Sequence, residues 1–305
     1  MELYQLRYFL SVAAHKNITR AAAESGITQT AMSEQMRKLE HSLGAPLLHR
    51  GRRHTTLTDA GEALASHAES LLRQAKATQD FVADVAGLRA GSLNVGAIPS
   101  VGAGLLPEAL KRFHTLHPAI RLHMREETSA QVARLVESGE VDVGVAQLPL
   151  ARGSFTQAPL LTEPFCVLVA SGHRLTSQSA VPLSDLAREN LLLPRGRARQ
   201  SALEACRTAG FEPRLSCESG ELETIRALVR AGLGVALLPA LAAKNREKGT
   251  RVLPLSGRIP RRKLVLLTSK KASPSSLALR FAGILKECAQ LLARTSLGGA
   301  GALNP

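Results

Sequence analysis

Five polar side chains gathered in one short segment, Thr28, Gln29, Thr30, Ser33 and Arg37, have the chemistry for reading base pairs. A glutamine bonds an adenine edge through two contacts, and a threonine offers its methyl to thymine. A serine hydroxyl suits either base, while an arginine fits guanine or a phosphate. Ala31, Met32, Met36 and Leu39 fall on the opposite side, so the segment reads as an amphipathic helix with its polar side near the start. A basic run, His49-Arg50-Gly51-Arg52-Arg53-His54, follows between Leu47, Leu48 and Leu57. It reads as the tip of a two-stranded wing whose arginines, Arg50, Arg52 and Arg53, add affinity for the DNA backbone with little sequence choice.

A reading helix must be held against its groove. Thr19 can cap a short helix through Ala21, Ala22 and Ala23, Gly26 supplies the positive φ that ends it, and Thr28 can cap the next helix. Two helices joined by so short a turn form the crossed pair that pushes its second member into the major groove of double-stranded DNA. A trihelical core with a polar face also occurs without DNA. The wing and the helix after it separate the two readings.

Longer matches carry a resemblance. Leu6-Arg7-Tyr8-Phe9-Leu10, Ile18-Thr19-Arg20-Ala21-Ala22, Thr28-Gln29-Thr30-Ala31-Met32-Ser33, Leu39-Glu40, Leu43-Gly44-Ala45-Pro46-Leu47 and Leu57-Thr58-Asp59-Ala60-Gly61 agree in type and spacing with a known signature. The segment resembles the N-terminal domain of the LysR-type transcriptional regulators. The resemblance implies an α/β protein with an N-terminal winged helix-turn-helix (1–58), a long dimerising linker helix (59–90) and a two-lobed α/β effector domain resembling periplasmic binding proteins (91–305). Within the last, lobe 1 is expected at 91–161 and 266–295, and lobe 2 at 162–265. RNA polymerase is an implied partner. The family usually places proline at Thr30, a basic or amide residue at Glu34 and phenylalanine at Leu48. Base contacts at the helix start are therefore expected to differ, and Glu34 can accept from a cytosine amino group.

Residues 58–90 carry a helical pattern of their own. Leu64, Leu71, Thr78 and Val85 share one heptad seam, flanked by Ala68, Ala75 and Val82, and Asp59 with Glu62 resembles a capping box. So narrow an apolar stripe on so long a helix calls for a partner, which points to a homodimer or homotetramer, with packing on its own domain as the alternative. Beyond Gly91 strands are expected at 93–97, 120–126, 141–145, 165–170, 191–193, 235–238 and 264–268. Helices are expected at 105–117, 132–138, 198–209, 222–231 and 276–293. That alternation means parallel pairing with crossover helices.

Ligands of open α/β folds bind beyond the carboxyl ends of strands. Ser100, Thr128, Ser129 and Gln147 stand at three such ends, and Arg195, Gly196 and Ser219 precede helices of the other lobe. Hydroxyls, helix starts and an arginine favour a small-molecule effector that is an anion. Taken singly, each hydroxyl reads equally as a plain helix cap. A later basic stretch, Lys244, Arg246, Lys248, Arg251, Arg258, Arg261, Arg262 and Lys263, reads as solvated surface, with nonspecific DNA contact as the alternative.

Catalytic chemistry is thin. Gly102-Ala103-Gly104 and Gly232-Leu233-Gly234 complete neither a dinucleotide fingerprint nor a phosphate loop, so no cofactor is expected. His114 and His117 lack the further ligands of a metal site, and no nucleophile elbow appears. Cys166, Cys206, Cys217 and Cys288 are scattered and read as structural thiols. One branch of the resembled family senses peroxide through a cysteine ahead of an effector-domain helix. Here Arg197 stands in that place, nine residues before Cys206, which leaves a Cys206/Cys217 redox pair as the alternative. The formal net charge is +14, yet the first 90 residues hold about 11 basic against about 9 acidic side chains, so most of the excess lies later. The start Met1-Glu2-Leu3-Tyr4-Gln5 lacks a secretory pattern, and a cytoplasmic regulator is expected, with no membrane contact. A solute-binding protein would share the two lobes but has no use for a wing. A metabolic enzyme would need a reacting group in the cleft.

Overall fold

Leu6, Phe9 and Val12 recur at helical spacing and are fully buried, which turns the first segment into α1 (Leu3–His15). The computed structural model describes residues 1–50, 55–85, 91–244, 248–271 and 273–298, in two units, Met1–Ala86 and Gly87–Pro305. In the first, α2 (Ile18–Glu24) is capped by Asn17, whose side chain accepts from the Arg20 amide. Thr19 lies inside that helix, so the expected cap falls two residues too late. Thr28 does cap α3 (Gln29–Leu43), accepting from the Ala31 amide at 3.2 Å. The wing is the antiparallel pair β1 (Leu48–Arg50) and β2 (Thr55–Leu57).

The linker helix α4 (Asp59–Val85) is capped by Thr58, whose Oγ accepts from the Gly61 amide, in place of the expected Asp59/Glu62 box. A Cβ on Gly61 would meet the Leu47 carbonyl oxygen at 2.2 Å, so only glycine lets α4 leave this close to the wing. Leu64, Ala65, Ala68 and Leu72 pack on the winged core. The front of α4 thus serves its own unit, and Leu71, at 39% exposure, stays free of that core. Thr78 is exposed, while the side chains of Val82 and Val85, and residues 86–90, lie outside those described.

The second unit alternates strands and helices: β3 (Ser92–Ala97), α5 (Pro99–Gly104), α6 (Leu106–Leu116), β4 (Arg121–Glu126), α7 (Ser129–Ser138), β5 (Val143–Gln147) and β6 (Phe155–Ala170). It continues with β7 (Val181–Pro182), β8 (Asn190–Pro194), α8 (Arg197–Thr208), β9 (Arg214–Ser219), α9 (Leu222–Arg230), β10 (Val235–Pro239), β11 (Thr250–Ser256), β12 (Arg261–Ser269) and α10 (Ser276–Gly298). The first helix of this unit splits in two: Pro99 starts the short α5, which holds Ser100, and Pro107 sits in the first turn of α6, where the helix at 105–117 was expected. Strands β9 and β11 were not expected: β9 has no buried residue, and in β11 only Leu253 and Leu255, either side of Pro254, are buried.

Strand order β4-β3-β5-β12-β6-β10-β8-β9 places β6 in both halves of the sheet. Its first part pairs with β12, from Phe155↔Ser269 to Pro164↔Arg261, and its last residues pair with β10 and β11. The chain therefore passes between lobes at Glu163–Pro164 and returns at Pro260–Arg261. Helices cover both faces of each half. In lobe 1, Phe113 and Phe281 pack edge to face beneath α6 and α10, and Val132 and Val136 of α7 cover the other side. In lobe 2, α8 packs Ala202, Leu203 and Cys206 on Leu191 and Leu193, while α9 packs Leu222, Ile225 and Val229 on Leu192 with Cys217 nearby.

Candidate functional site

The winged unit presents its polar residues outward. Met32, Met36 and Leu39 are buried, and Thr28, Gln29, Thr30, Glu34 and Arg37 are exposed, with Ser33 half-buried between them. Because α3 has one apolar stripe, packing that stripe fixes where the other side chains point. Lys38 pairs with Glu34 at 2.8 Å and holds that carboxyl below its usual range. Glu34 thus stays ionised, and its charge is already neutralised locally before any phosphate approaches. Arg50 ends β1, and Gly51, Arg52, Arg53 and His54 lie outside the described residues. Sequence reasoning missed the role of Glu40: its Oε1 accepts from the amides of Leu47 and Leu48, at 2.9 and 3.2 Å, and so fastens the start of the wing to α3. A carboxylate on the core side of α3, seven and eight residues before the amides that open the wing, was the available signal.

In the second unit the strand ends converge, but around a residue read as surface. Arg262 is 3% exposed, and the expectation of solvated surface fails for it. Its Nε and Nη2 both donate to Glu163 Oε1, at 2.8 and 2.6 Å, Nη2 also donates to Ser100 Oγ at 2.6 Å, and Nη1 donates to Gln147 Oε1 at 3.2 Å. Burial pushes the guanidinium below its usual value, and the Glu163 carboxylate opposes that shift. Gln147 in turn donates its backbone amide to Ser129 Oγ at 3.1 Å and its Nε2 to Ser201 Oγ at 2.9 Å. Ser100, Ser129 and Gln147 thus meet, joined by Arg262, Glu163 and Ser201, which sequence reasoning did not name. The missed signal is strand alternation: Arg261 and Lys263 are exposed and Arg262 between them points inward, opposite Glu163 in the ladder.

Other expected residues stand apart from this network. Thr128 is exposed and spends its hydroxyl in a capping box with Gln131 at the start of α7. Arg195 is exposed, and its backbone amide donates to the Ser219 carbonyl. The Ser219 hydroxyl accepts from the Glu221 amide, and Gly196, at φ +85°, caps α8. These three therefore mark the adjoining ends of β8 and β9. Arg199 reaches Glu218 of β9 at 2.5 Å.

Cys206 and Cys217 lie against opposite faces of the lobe 2 sheet, the first with Leu191 and Leu193 and the second with Leu192. A disulfide needs Cα atoms within about 7 Å and facing Cβ vectors, so joining these two requires rebuilding the sheet edge. Burial pushes the Cys206 thiol up to about 11 and the Cys166 thiol up to about 12, so neither is a ready thiolate. Among the described residues no cluster of histidine, cysteine and carboxylates is arranged to hold a metal, and no helix is long and apolar enough to cross a membrane.

Comparison with known proteins agrees with this division. Residues 3–62 match the family described as bacterial regulatory helix-turn-helix protein, lysR family, and residues 86–290 match the LysR substrate binding domain. The chain is 33% identical to the DNA-binding transcriptional dual regulator OxyR of Escherichia coli, over 88% of this chain and 89% of that one. It is 35% identical to a probable hydrogen peroxide-inducible genes activator of Streptomyces viridosporus, over 79% and 78%. A full-length OxyR cysteine-to-aspartate variant from Pseudomonas aeruginosa superposes with a TM-score of 0.70 at 28% identity, covering 95% of each chain. The fold is also that of full-length CbnR crystallised with its target DNA, at a TM-score of 0.71 and 24% identity, covering 94% of this chain and 100% of that one. Matched through both its winged segment and its two-lobed domain, the chain belongs to the LysR family of bacterial regulatory helix-turn-helix proteins.

Proposed function

We propose that the protein binds promoter DNA as a homo-oligomer and changes transcription when a small anionic effector occupies the cleft between its lobes. The observation that carries this reading is the exposed polar side of α3, held by an apolar stripe and flanked by a wing that Glu40 anchors. Thr28, Gln29, Thr30, Ser33 and Arg37 face base edges and nearby phosphates, and Arg50, Arg52 and Arg53 add affinity without choosing sequence. Two such helices, delivered by paired α4 helices through residues such as Leu71, read two half-sites. RNA polymerase is the partner through which bound protein alters transcription, in the cytoplasm and without catalysis.

In the cleft, Ser100, Ser129 and Gln147 form the floor, and Thr128, Arg195, Gly196 and Ser219 stand at its rim. An effector acts only by binding two arrangements of the lobes unequally. Several relatives are named as peroxide-inducible activators. The placement of Cys206 and Cys217 on opposite sheet faces, with Arg197 at the start of α8, favours a bound ligand over a thiol switch. Genome-wide mapping of bound DNA tests the proposal: discrete promoter peaks, weakened by Gln29→Ala, are expected. Occupancy no different from a variant lacking residues 1–58 would refute it.

A further inference from the structure

Both strands that cross between the lobes carry a charged residue pointing inward at the crossing, and the two residues are ladder partners, Glu163 and Arg262. The pair reaches elements of both lobes. Glu163 Oε2 accepts from the Leu241 amide at 2.7 Å, in the short turn after β10. Gln147, oriented by the Arg262 fork, hands its Nε2 to Ser201 of α8. The same turn presses close to lobe 1: a Cβ on Gly104 of α5 would meet the Leu241 carbonyl oxygen at 2.4 Å, and Lys244 Nζ donates to the Gly104 carbonyl at 3.2 Å. We propose that Glu163 and Arg262 form a positioning latch, which orients Ser100 and Gln147 in the cleft and makes lobe opening break the Glu163–Leu241 and Gln147–Ser201 contacts.

The chemistry of the floor follows from the latch. Ser100 Oγ accepts from a cationic nitrogen and Ser129 Oγ from the Gln147 amide, so each hydroxyl keeps its own proton to give, and the charge on Arg262 strengthens the Ser100 donor. The cleft floor therefore offers hydrogen-bond donors, which suits a carboxylate or other acceptor-rich group. A buried ion pair adds little net stability over apolar residues of similar size. What it supplies is direction: one carboxylate, one hydroxyl and one side-chain amide, from three separate elements, fixed by a single fork. A ligand that pulls on Ser100 loads the fork that grips one oxygen of Glu163, whose other oxygen holds Leu241.

This inference rests on the reading of the cleft as the effector site only for its consequence, and its test uses the full-length protein without added ligand. Amide hydrogen exchange is measured for residues 240–243 and for the first turn of α8, against the cores of β3 and β10. Arg262→Lys keeps the charge and loses the fork. It should speed exchange in those two segments by roughly tenfold or more, and leave both cores near their wild-type rates. The double variant Glu163→Leu/Arg262→Met, which keeps the packing, should loosen the same segments with no fall in melting temperature. Unaltered exchange in both variants would overturn the latch, as would acceleration spread evenly through both cores or failure of both variants to fold. The effector reading fails separately, if Ser129→Ala leaves the regulatory response at a mapped promoter unchanged.

Discussion

Helix α3 and the buried network around Arg262 use polar side chains in opposite ways. On α3 the residues lie within ten positions of one another, are exposed except for half-buried Ser33, and mostly have no protein partners to give up. In the network they come from α5, α7, β5, β6, α8 and β12, are largely buried, and are bonded to one another. An exposed side chain in water costs little until DNA replaces the solvent, so a single helix suffices to display it. A buried one must be satisfied at all times. The buried network can therefore change only by exchanging one set of partners for another, as the proposed response to an effector would require.

The contrast breaks most visibly at the two arginines. Arg262→Met leaves Glu163 buried without its fork and should cost about 3–5 kcal/mol, read as a lower urea midpoint for the second unit. Arg37→Ala, on the exposed helix, should change the stability of its own winged unit by no more than roughly 0.5 kcal/mol. If both variants unfold alike, the two regions are not different in kind.

Next in size is binding. Gln29→Ala or Arg37→Ala should weaken the preferred duplex by about tenfold in fluorescence titration, with nonspecific duplex nearly unaffected for Gln29. Loss of the same factor on every sequence would assign Gln29 to the backbone instead. Glu40→Ala sharpens the comparison from the other side. It touches no DNA in this account, yet it frees the Leu47 and Leu48 amides, so about 1–2 kcal/mol of winged-unit stability should go. Affinity should then fall for all duplexes together. A sequence-selective loss would contradict its role as an anchor.

The smallest effects concern the thiols. Cys206 is raised from 9.0 to about 11 by burial, so the unfolded thiol ionises first and the folded state loses stability as pH climbs above about 9. At pH 8 an alkylating reagent should label half-buried Cys217 ahead of Cys206, whose labelling should follow unfolding. Peroxide should yield no bridge between them. A native bridge found by peptide mapping would restore the thiol switch.

The same contrast explains what was legible from residues alone. The α3 pattern needs only a helical period, so its caps, stripe and polar side could be read within one window. Ser100, Ser129 and Gln147 followed from the rule that strand ends face a crevice. Arg262 did not. Its neighbours Arg258, Arg261 and Lys263 make the stretch look like surface, and its burial depends on Glu163, 99 residues away in sequence. Helix starts failed where several good caps crowd together, as with Asn17 and Thr19, because propensity ranks them alike and packing chooses. The first half of β6 was missed because a strand shared by two lobes has no single buried face along its length.

Selection from a random duplex pool by the purified full-length protein tests the central claim most directly. Enrichment of paired half-sites about one helical turn apart is expected, with the paired replacement Gln29→Ala/Ser33→Ala erasing the preference while bulk duplex affinity remains. A wild-type protein that enriches nothing over random competitor at modest ionic strength would contradict it.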